Sequence, residues 1–441
     1  MKKIYSFIFL ILVCVVLNII FYGSGIVDIS NGITINNIIL QWPIYRFFIE
    51  PFYAFAYYVL TMETTGYIYA FISWLFWIVL FSILFCKYKN LKLKSTIIFC
   101  FSAIFFFCSL CAAVIILPIS GPKIIVPDGY KIADIHFNTI SAKDRVSSIS
   151  SSIKFHKKQG FTDFFVTDYN DITGYKSIPY GINSEHVFPA IKVNTEKDES
   201  LILLSQEPFE CNDDIKNKSM EEIIDFAHGN DMLVIAADCW KYNNTKIEQF
   251  ADLEIDGFEI YNCRHRHTEE NIKQDLINIC NENNLLMFGT SDWHGLGCMV
   301  NVWNLVKEKE NKNMFDLLKD KPKIKVIAHD IKDGQSVIRY VFEPFYFLYM
   351  YITTTQLKYV LSFYTFILIC FALLYTKPVM RVVRRAALLL SAFFSLWLFF
   401  FIAVLKYNFF YNVMISQMMV FVVGAFAVIW LIVWSSCDKN I

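Results

Sequence analysis

A carboxylate and an imidazole lie two residues apart in a turn that follows a short apolar run. The apolar run covers residues 285–288, and the turn contains Asp292 and His294. Two such side chains at the end of a strand can both bind one divalent cation. All eight histidines of the chain fall within residues 119–341, so any metal or acid–base chemistry is expected in that segment.

The elements that must position these two residues follow from hydrophobic patterning. Strand-like apolar runs occupy 131–137, 162–167, 187–193, 201–204, 232–236, 257–261, 285–290 and 323–327. Amphipathic patterns at 142–158, 220–228 and 269–283 predict helices between several of them. Repeated strand–helix units predict a parallel, barrel-like sheet whose reactive groups gather at the carboxyl ends of the strands. The polar residues expected at those ends are His136, Asn138, Tyr169, Lys192, Asp238, Asn262, Arg264, His265, Asp292 and His294.

Six short motifs follow one another along this segment. They cover 134–139, 160–170, 189–192, 235–238, 256–262 and 289–294. In this order and at these intervals they resemble the motifs of the PHP (polymerase and histidinol phosphatase) domain. The resemblance implies an α/β fold, a distorted (βα)7 barrel of the metal-dependent phosphoesterase type. In this chain the barrel would be inserted between two all-α transmembrane segments.

The resemblance also implies a centre of two or three Mn, Fe or Zn ions, held by histidines and a bridging carboxylate. The residues that match ligand positions are His136, Asp292 and His294. The residues that depart from the family pattern are Asn138, Tyr169, Lys192 and Asp238, with the lysine in place of the bridging glutamate. An ammonium repels a cation a few ångströms away by roughly 4 kcal/mol at an effective dielectric constant of about 20. A multinuclear centre is therefore disfavoured.

Two functions fit this pattern. In the first, His136, Asp238, Asp292 and His294 bind one divalent ion (Mn, Zn or Fe), and the domain hydrolyses a phosphoester. Lys192 and Arg264 would stabilise the charge on phosphate, and Tyr169 would orient the substrate or protonate the leaving oxygen. The residues expected to contact substrate are Asn138, Asn262, His265 and Arg266.

In the second function, the domain has lost hydrolysis and binds no metal. It would then bind an anionic ligand through Lys192 and the arginines, as an interaction module of an envelope complex.

The segments on either side of the domain are strongly apolar. Apolar stretches of about 20 residues, long enough to cross a bilayer, occur at 4–22, 66–86, 95–117, 357–376, 386–405 and 411–434, and Lys358 is the only charged residue in them. These stretches divide the chain into an N-terminal membrane region (1–118), the domain (119–341) and a C-terminal membrane region (342–441). Aromatic residues and a proline at 44–62 predict an interfacial rather than a spanning segment.

The basic residues of the flanking segments predict the orientation of the chain. Lysines and arginines precede the first stretch, follow the last, and lie at 87–94 and 377–385 between stretches. If these are cytoplasmic, both termini are cytoplasmic and the domain lies outside, at a bacterial inner membrane. The domain has 26 basic and 35 acidic residues, a net charge of −9, so nucleic acid is not expected as a partner. The predicted partners are the bilayer and a phosphorylated lipid or glycan.

One tetrapeptide occurs twice. Glu-Pro-Phe-Tyr begins at Glu50 and again at Glu343, and each copy opens an aromatic stretch followed by an apolar one. This pattern suggests two similar membrane units on either side of the domain. The alternative is a chance match in an aromatic-rich chain.

Overall fold

The computed structural model describes most of the chain up to residue 374. The described residues are 2–35, 37–61, 66–88, 90, 92–116, 120–138, 149–176, 178, 184–210, 215, 218–263, 270–293, 300–329 and 337–374. Four predicted site residues, Arg264, His265, Arg266 and His294, lie outside them, as do the predicted spans 386–405 and 411–434.

The described residues form thirteen strands, most of them in the central domain. They are β1 (Ile26–Asp28), β2 (Ile33–Thr34), β3 (Ile39–Gln41), β4 (Lys123–Ile125), β5 (Tyr130–Phe137), β6 (Asp163–Tyr169), β7 (Val187–Asn194), β8 (Ser200–Leu204), β9 (Leu233–Ala236), β10 (Gly257–Asn262), β11 (Leu286–Thr290), β12 (Val302–Lys307) and β13 (Lys325–His329). All eight predicted strands are present, which confirms the hydrophobic patterning. The strand β12 was not predicted.

The described helices divide between the domain and the apolar flanks. They are α1 (Lys2–Phe21), α2 (Glu50–Leu60), α3 (Gly66–Tyr88), α4 (Leu93–Ile116), α5 (Ile149–Lys158), α6 (Thr173–Lys176), α7 (Met220–Gly229), α8 (Asn244–Asp252), α9 (Glu270–Glu282), α10 (Met314–Lys319), α11 (Val337–Val341), α12 (Glu343–Thr354) and α13 (Leu357–Leu374). A 3-10 helix, Ile44–Phe48, precedes α2.

Eleven strands form one mixed sheet rather than the predicted closed parallel barrel. Its order is β11-β10-β9-β8-β7-β6-β5-β12-β13-β1-β2, and β11 is an edge strand. β5, β6 and β7 are parallel, as are β9, β10 and β11, but β8 is antiparallel to both β7 and β9. Only residues 195–199 separate β7 from β8. A parallel crossover needs a dozen or more residues, so this connection can only be a hairpin.

One side chain nevertheless connects the edge strand β11 to β12 and β5, which lie far from it in the strand order. Asn304 of β12 accepts a hydrogen bond from the backbone N–H of Gly289 at 2.7 Å and donates to the carbonyl of Gly289 at 2.7 Å. The same amide donates to the carbonyl of Ala133 in β5 at 3.0 Å. A Cβ atom at Gly289 would lie 2.3 Å from a methyl group of Val302, so only glycine allows this approach. Side-chain bonds of Asn304 therefore join β11 to β12 and β5 in place of a strand ladder.

Residues before the predicted boundary at 119 also contribute to this sheet. Ile26 of β1 pairs with His329 of β13, and β2 continues the antiparallel edge. β3 pairs separately with β4. The chain thus passes from α1 directly into the sheet.

The two Glu-Pro-Phe-Tyr copies adopt the same local structure. Glu50 and Glu343 are each the first residue of a helix, fully buried, with proline next in the chain. Each forms an ion pair with an arginine four residues earlier, Arg46 at 2.7 Å and Arg339 at 3.6 Å. Eight residues after each glutamate comes a tyrosine whose hydroxyl donates to the other copy's glutamate: Tyr58 to Glu343, and Tyr351 to Glu50. This reciprocal arrangement favours a structural repeat over a chance match.

The apolar flanks are helical where they are described. By length and hydropathy, Ile68–Tyr88 can cross a membrane. Among the residues described, Ile11–Phe21, Leu93–Cys108 and Leu357–Ile369 are apolar but shorter than a full span. The number of crossings therefore stays a prediction from the sequence.

Candidate functional site

The predicted site residues that the structure describes lie at one end of the sheet. This end, called the mouth below, is formed by the carboxyl ends of β5, β6, β7, β9, β10 and β11. His136 comes from β5, and its Nε2 lies 3.6 Å from Oδ1 of Asp292, which follows β11. Asn138 follows β5, and its amide donates to the same carboxylate oxygen at 3.4 Å. Both His136 and Asn138 are fully buried. The structure therefore brings three predicted site residues together across neighbouring ends of the sheet.

Glu259 of β10 organises this group, although the sequence did not indicate a role for it. Its buried carboxylate lies 3.3 Å from Nδ1 of His136 and accepts from the amide of Asn262 at 3.0 Å. It also accepts from the hydroxyl of Thr290 and, at 2.6 Å, from the backbone N–H of Asp238. A carboxylate beside one imidazole nitrogen holds the proton there and leaves the other nitrogen with a lone pair. Glu259 therefore orients His136 with Nε2 toward Asp292.

Two buried polar atoms in this group have no hydrogen-bond partner among the described residues. They are Nε2 of His136 and Oδ1 of Asn138. Buried polar atoms are nearly always paired, so unpaired ones at the mouth of a sheet indicate a place for a ligand. Nε2 and a carboxylate oxygen facing each other at 3.6 Å both present lone pairs, and a cation satisfies both.

Lys192 lies across the mouth on β7 and is paired with Asp238. Its ammonium donates to Oδ2 of Asp238 at 2.8 Å, and Lys241 contacts the same oxygen at 2.9 Å. The hydroxyl of Ser200 also donates to this oxygen at 3.0 Å. Asp238 was predicted to bind metal with His136, but these three donors surround one of its oxygens. Its role here is to hold two ammonium groups.

Electrostatics keep both members of this pair charged. Burial by itself would lower the pKa of Lys192, but Asp238, Asp292 and Glu259 raise it above its ordinary value. Burial would likewise raise the pKa of Asp238, but Lys192 brings it well below the usual range. The mouth thus contains a fixed cationic group beside the His136–Asp292 pair.

The backbone at the mouth adopts an uncommon conformation at three positions. Asn170, Asp238 and Asp292 have φ angles of 53°, 54° and 44°, in the left-handed region. Asn and Asp tolerate this region better than other residues with a Cβ atom, at a cost of about 1 kcal/mol or more. Asp238 and Asp292 follow β9 and β11, and the left-handed conformation turns the chain at these positions. The two carboxylates therefore lie at the strand ends instead of continuing along the strands.

Two further predicted residues occupy different positions around the mouth. Tyr169 ends β6, is register-paired with Lys192 and is 43% exposed, so its hydroxyl is accessible. Asn262 is buried and donates to Glu259, so it supports the carboxylate from within.

A buried histidine of the predicted helix packs behind the site. His156 of α5 lies 3.2 Å from Oδ2 of Asp134, whose Oδ1 accepts from the backbone N–H of His136 at 3.1 Å. The signal was present in the helix, because Ile149, Ile153 and His156 share one buried face. His156 therefore positions the strand end that carries His136.

Within the described part of the chain, no group of three or more His, Cys, Asp or Glu side chains is arranged to hold a metal ion. His136 and Asp292 supply one nitrogen and one oxygen donor, and the third predicted donor, His294, lies outside the described residues. A nitrogen donor and an oxygen donor of this kind are ligands that divalent transition metals accept.

Comparisons with known proteins give partial likenesses. No family model and no curated protein matches the chain. A proposed metal-dependent phosphoesterase from Bifidobacterium adolescentis matches with 14% identity and a TM-score of 0.33, covering 43% of this chain and 94% of its own. PsfC from Pseudomonas syringae matches with 14% identity and a TM-score of 0.35, covering 50% and 98%. A lesion-specific endonuclease from Pyrococcus furiosus matches with 14% identity and a TM-score of 0.33, covering 45% and 57%.

Proposed function

We propose that the central domain is a PHP-like phosphoesterase that uses one divalent cation. The observation that carries the proposal is the pair formed by His136 Nε2 and Asp292 Oδ1, 3.6 Å apart and oriented by Glu259. His136 and Asp292, with His294, would hold the ion. A divalent ion in such a site supplies Lewis acidity toward a phosphoryl oxygen.

The residues of the chain supply the rest of the chemistry. The Lys192 ammonium, fixed by Asp238, neutralises charge that develops on the phosphoryl oxygens. Its position at the mouth is already desolvated, so its interaction with an anion is strengthened. Arg264 keeps the same predicted role, and His265, Arg266 and Asn138 keep their predicted contacts with substrate. Tyr169, exposed beside Lys192, orients the ester or protonates the leaving oxygen.

A membrane setting completes the proposal. We place the domain outside the cytoplasm, anchored by six spans in a bacterial inner membrane. The strand pairing between Ile26 and His329 supports this topology, since residues that pair must lie on one side of a bilayer. The predicted orientation puts both there. The net charge of −9 argues against nucleic acid as substrate.

A second function is favoured by one specific observation. Two lysines contact the carboxylate of Asp238, and no three-ligand metal group is found in the described residues. A domain of this kind can bind an anion without hydrolysing it. The alternative is therefore an inactive, metal-free binding or interaction module of an envelope complex.

One experiment separates the two functions. The full chain, purified in detergent, is analysed for bound metal and assayed with p-nitrophenyl phosphate and bis(p-nitrophenyl) phosphate in Mn, Zn, Fe or Mg. We expect one ion per chain and hydrolysis that falls at least about 100-fold in His136→Ala, because even outer-shell changes cost 10- to 100-fold. His228→Ala is the matched control, since His228 also pairs with a carboxylate, Asp256 at 3.1 Å, but lies away from the mouth.

The binding-module alternative predicts a different result. No metal would be retained, no ester would be hydrolysed, and a phosphate-containing ligand would still protect the domain from unfolding. That outcome rules out the enzyme.

A further inference from the structure

The mouth lies at the same end of the sheet as the points where the chain enters from the apolar helices. Val302 pairs with Ala328, and Asn304 pairs with Ala133. β12 is antiparallel to both β5 and β13, so its first residues lie at the end of the sheet where β5 and β13 end. Asn301, just before β12, and His329, the last residue of β13, exchange hydrogen bonds there, at 2.8 and 3.0 Å. The last residue of β13 therefore lies at the same end of the sheet as the mouth.

This end of the sheet also receives the strand that follows the first apolar helix. His329 pairs with Ile26, the first residue of β1, and α1 ends at Phe21. Five residue steps separate Ile26 from Phe21, a distance of at most about 17 Å. β1 then runs away from this end, so the chain enters the sheet from α1 at the end where the mouth lies.

The helical part of the molecule makes direct contact with this end of the sheet. The hydroxyl of Tyr57 in α2 lies 2.6 Å from Nδ1 of His329, and the Trp42 ring packs edge-on against the same imidazole. Ser120, at the second entry of the chain into the sheet, is bonded to Tyr45 and Tyr53 of the same helical part. The connection after α1 and the connection at Ser120 therefore both lie beside α2 and the residues just before it.

The elements attached there expose large apolar side chains. Ile44 and Phe48 of the 3-10 helix are 84% and 69% exposed. Exposed aromatic and aliphatic groups concentrated on short helices next to apolar spans are typical of segments that lie in a membrane interface.

We infer that the substrate is an amphiphilic phosphoester presented from the membrane surface. This inference rests on the proposed function. The phosphate group enters the mouth between His136 and Lys192, and the apolar tail stays in the bilayer beside Ile44 and Phe48. A mouth facing away from the helices would favour a freely soluble ester instead.

The test compares each lipid with its deacylated, water-soluble counterpart, using the full chain in phosphatidylcholine vesicles. The pairs are phosphatidic acid with glycerol 3-phosphate, and phosphatidylglycerol with glycerophosphoglycerol. At equal phosphate concentration we expect at least one lipid to be hydrolysed about tenfold faster than its counterpart, because the bilayer raises its effective concentration at the mouth. The double variant Ile44→Ser, Phe48→Ser is expected to lose about fivefold on that lipid and nothing on the soluble ester.

The control variant carries Ile33→Ser and Ile125→Ser, two exposed isoleucines on the short strands β2 and β4. It is expected to leave both activities unchanged. Equal or faster hydrolysis of the soluble partners, or hydrolysis of chromogenic esters alone, overturns the inference and leaves the phosphoesterase standing. Failure of every ester with every metal overturns the phosphoesterase, and the lipid inference with it.

Discussion

The molecule contains two clusters of buried carboxylates, and they are built in opposite ways. In the helical repeat, Glu50 forms a two-point bond with Arg46 at 2.7 and 2.8 Å and accepts from Tyr351 of the other copy. In the sheet, the described residues that bond to Glu259 include no lysine or arginine. Its neighbours are an imidazole, an amide, a hydroxyl and a backbone N–H.

This difference separates a structural role from a functional one. Arg46 and Glu50 neutralise each other's charge within one helical turn. The further hydrogen bond of Glu50, from the Tyr351 hydroxyl, joins the two helical copies. Glu259 instead passes its effect to His136, whose Nε2 lacks a partner among the described residues. A buried ion pair that closes on itself serves packing. A carboxylate that fixes one nitrogen of a histidine leaves the other nitrogen free to bind a ligand, which is the role that the proposed function gives to Glu259.

The backbone shows the same contrast. Glu50 and Glu343 begin regular helices with proline at the next position, where the missing N–H has no cost. Asp238 and Asp292 stand in the left-handed region, which is unfavourable for a residue with a Cβ atom. Strain of this kind persists where a side chain must be aimed.

The largest effect is expected from breaking the helical pair. Glu50→Ala leaves the Arg46 guanidinium buried without its carboxylate and should lower the free energy of unfolding by about 3–5 kcal/mol. Denaturant unfolding of the full chain in detergent measures this loss. Glu248→Ala, at an exposed position of α8, is the control. Arg46→Met combined with Glu50→Met should restore most of the loss, and metal binding should not change. A loss below 1 kcal/mol for Glu50→Ala would show that this pair is not the anchor of the repeat.

A smaller effect is expected from the reciprocal tyrosines. Tyr58→Phe and Tyr351→Phe each remove one hydroxyl from a buried carboxylate, which should cost about 1.5–3 kcal/mol of unfolding free energy. Because the two bonds are related by the repeat, the two losses should be similar. Tyr349→Phe, on the exposed face of α12, serves as control. A large loss from one variant and none from the other would argue against a structural repeat.

The smallest expected effect tests the sheet cluster. Glu259→Gln keeps the shape of the side chain but places an amide N–H against donors, so His136 loses its fixed tautomer. We expect divalent-metal affinity to fall about 10- to 100-fold, measured by titration of the metal-free full chain. Glu282→Gln, exposed on α9, is the comparison. Unchanged metal affinity in Glu259→Gln would contradict the role assigned to this carboxylate and place it with Glu50 as a structural group.

Local sequence patterns predicted a large part of the domain. The eight strands were identified because apolar runs bounded by polar residues carry a local signal. The strand β12 was missed since Asn304 interrupts its apolar run, and this asparagine bonds to Gly289 across the sheet. The antiparallel direction of β8 was missed because strand direction depends on pairing and is not encoded in composition.

Some residues of the site were likewise predicted from the sequence, and others were not. His136, Asn138, Lys192 and Asp292 were found because strand ends in a sheet of this type converge, and the structure brings them together. Glu259 was not assigned a role, since its alternation between Phe258 and Ile260 shows only that it points inward. Asp238 was predicted to bind metal because the sequence does not show that Lys241 and Ser200 are its partners.

By itself, the sequence determined which segments are apolar, where the strands end and which chemical groups stand at those ends, because each of these depends on neighbouring residues. Only the tertiary structure decided the partner of each buried charge and the direction in which the mouth opens. These depend on contacts between residues far apart in the chain, such as His136 with Glu259, Tyr351 with Glu50 and Ile26 with His329. In a buried site of low dielectric, the partner of a charge decides whether that charge binds a ligand or stabilises the fold.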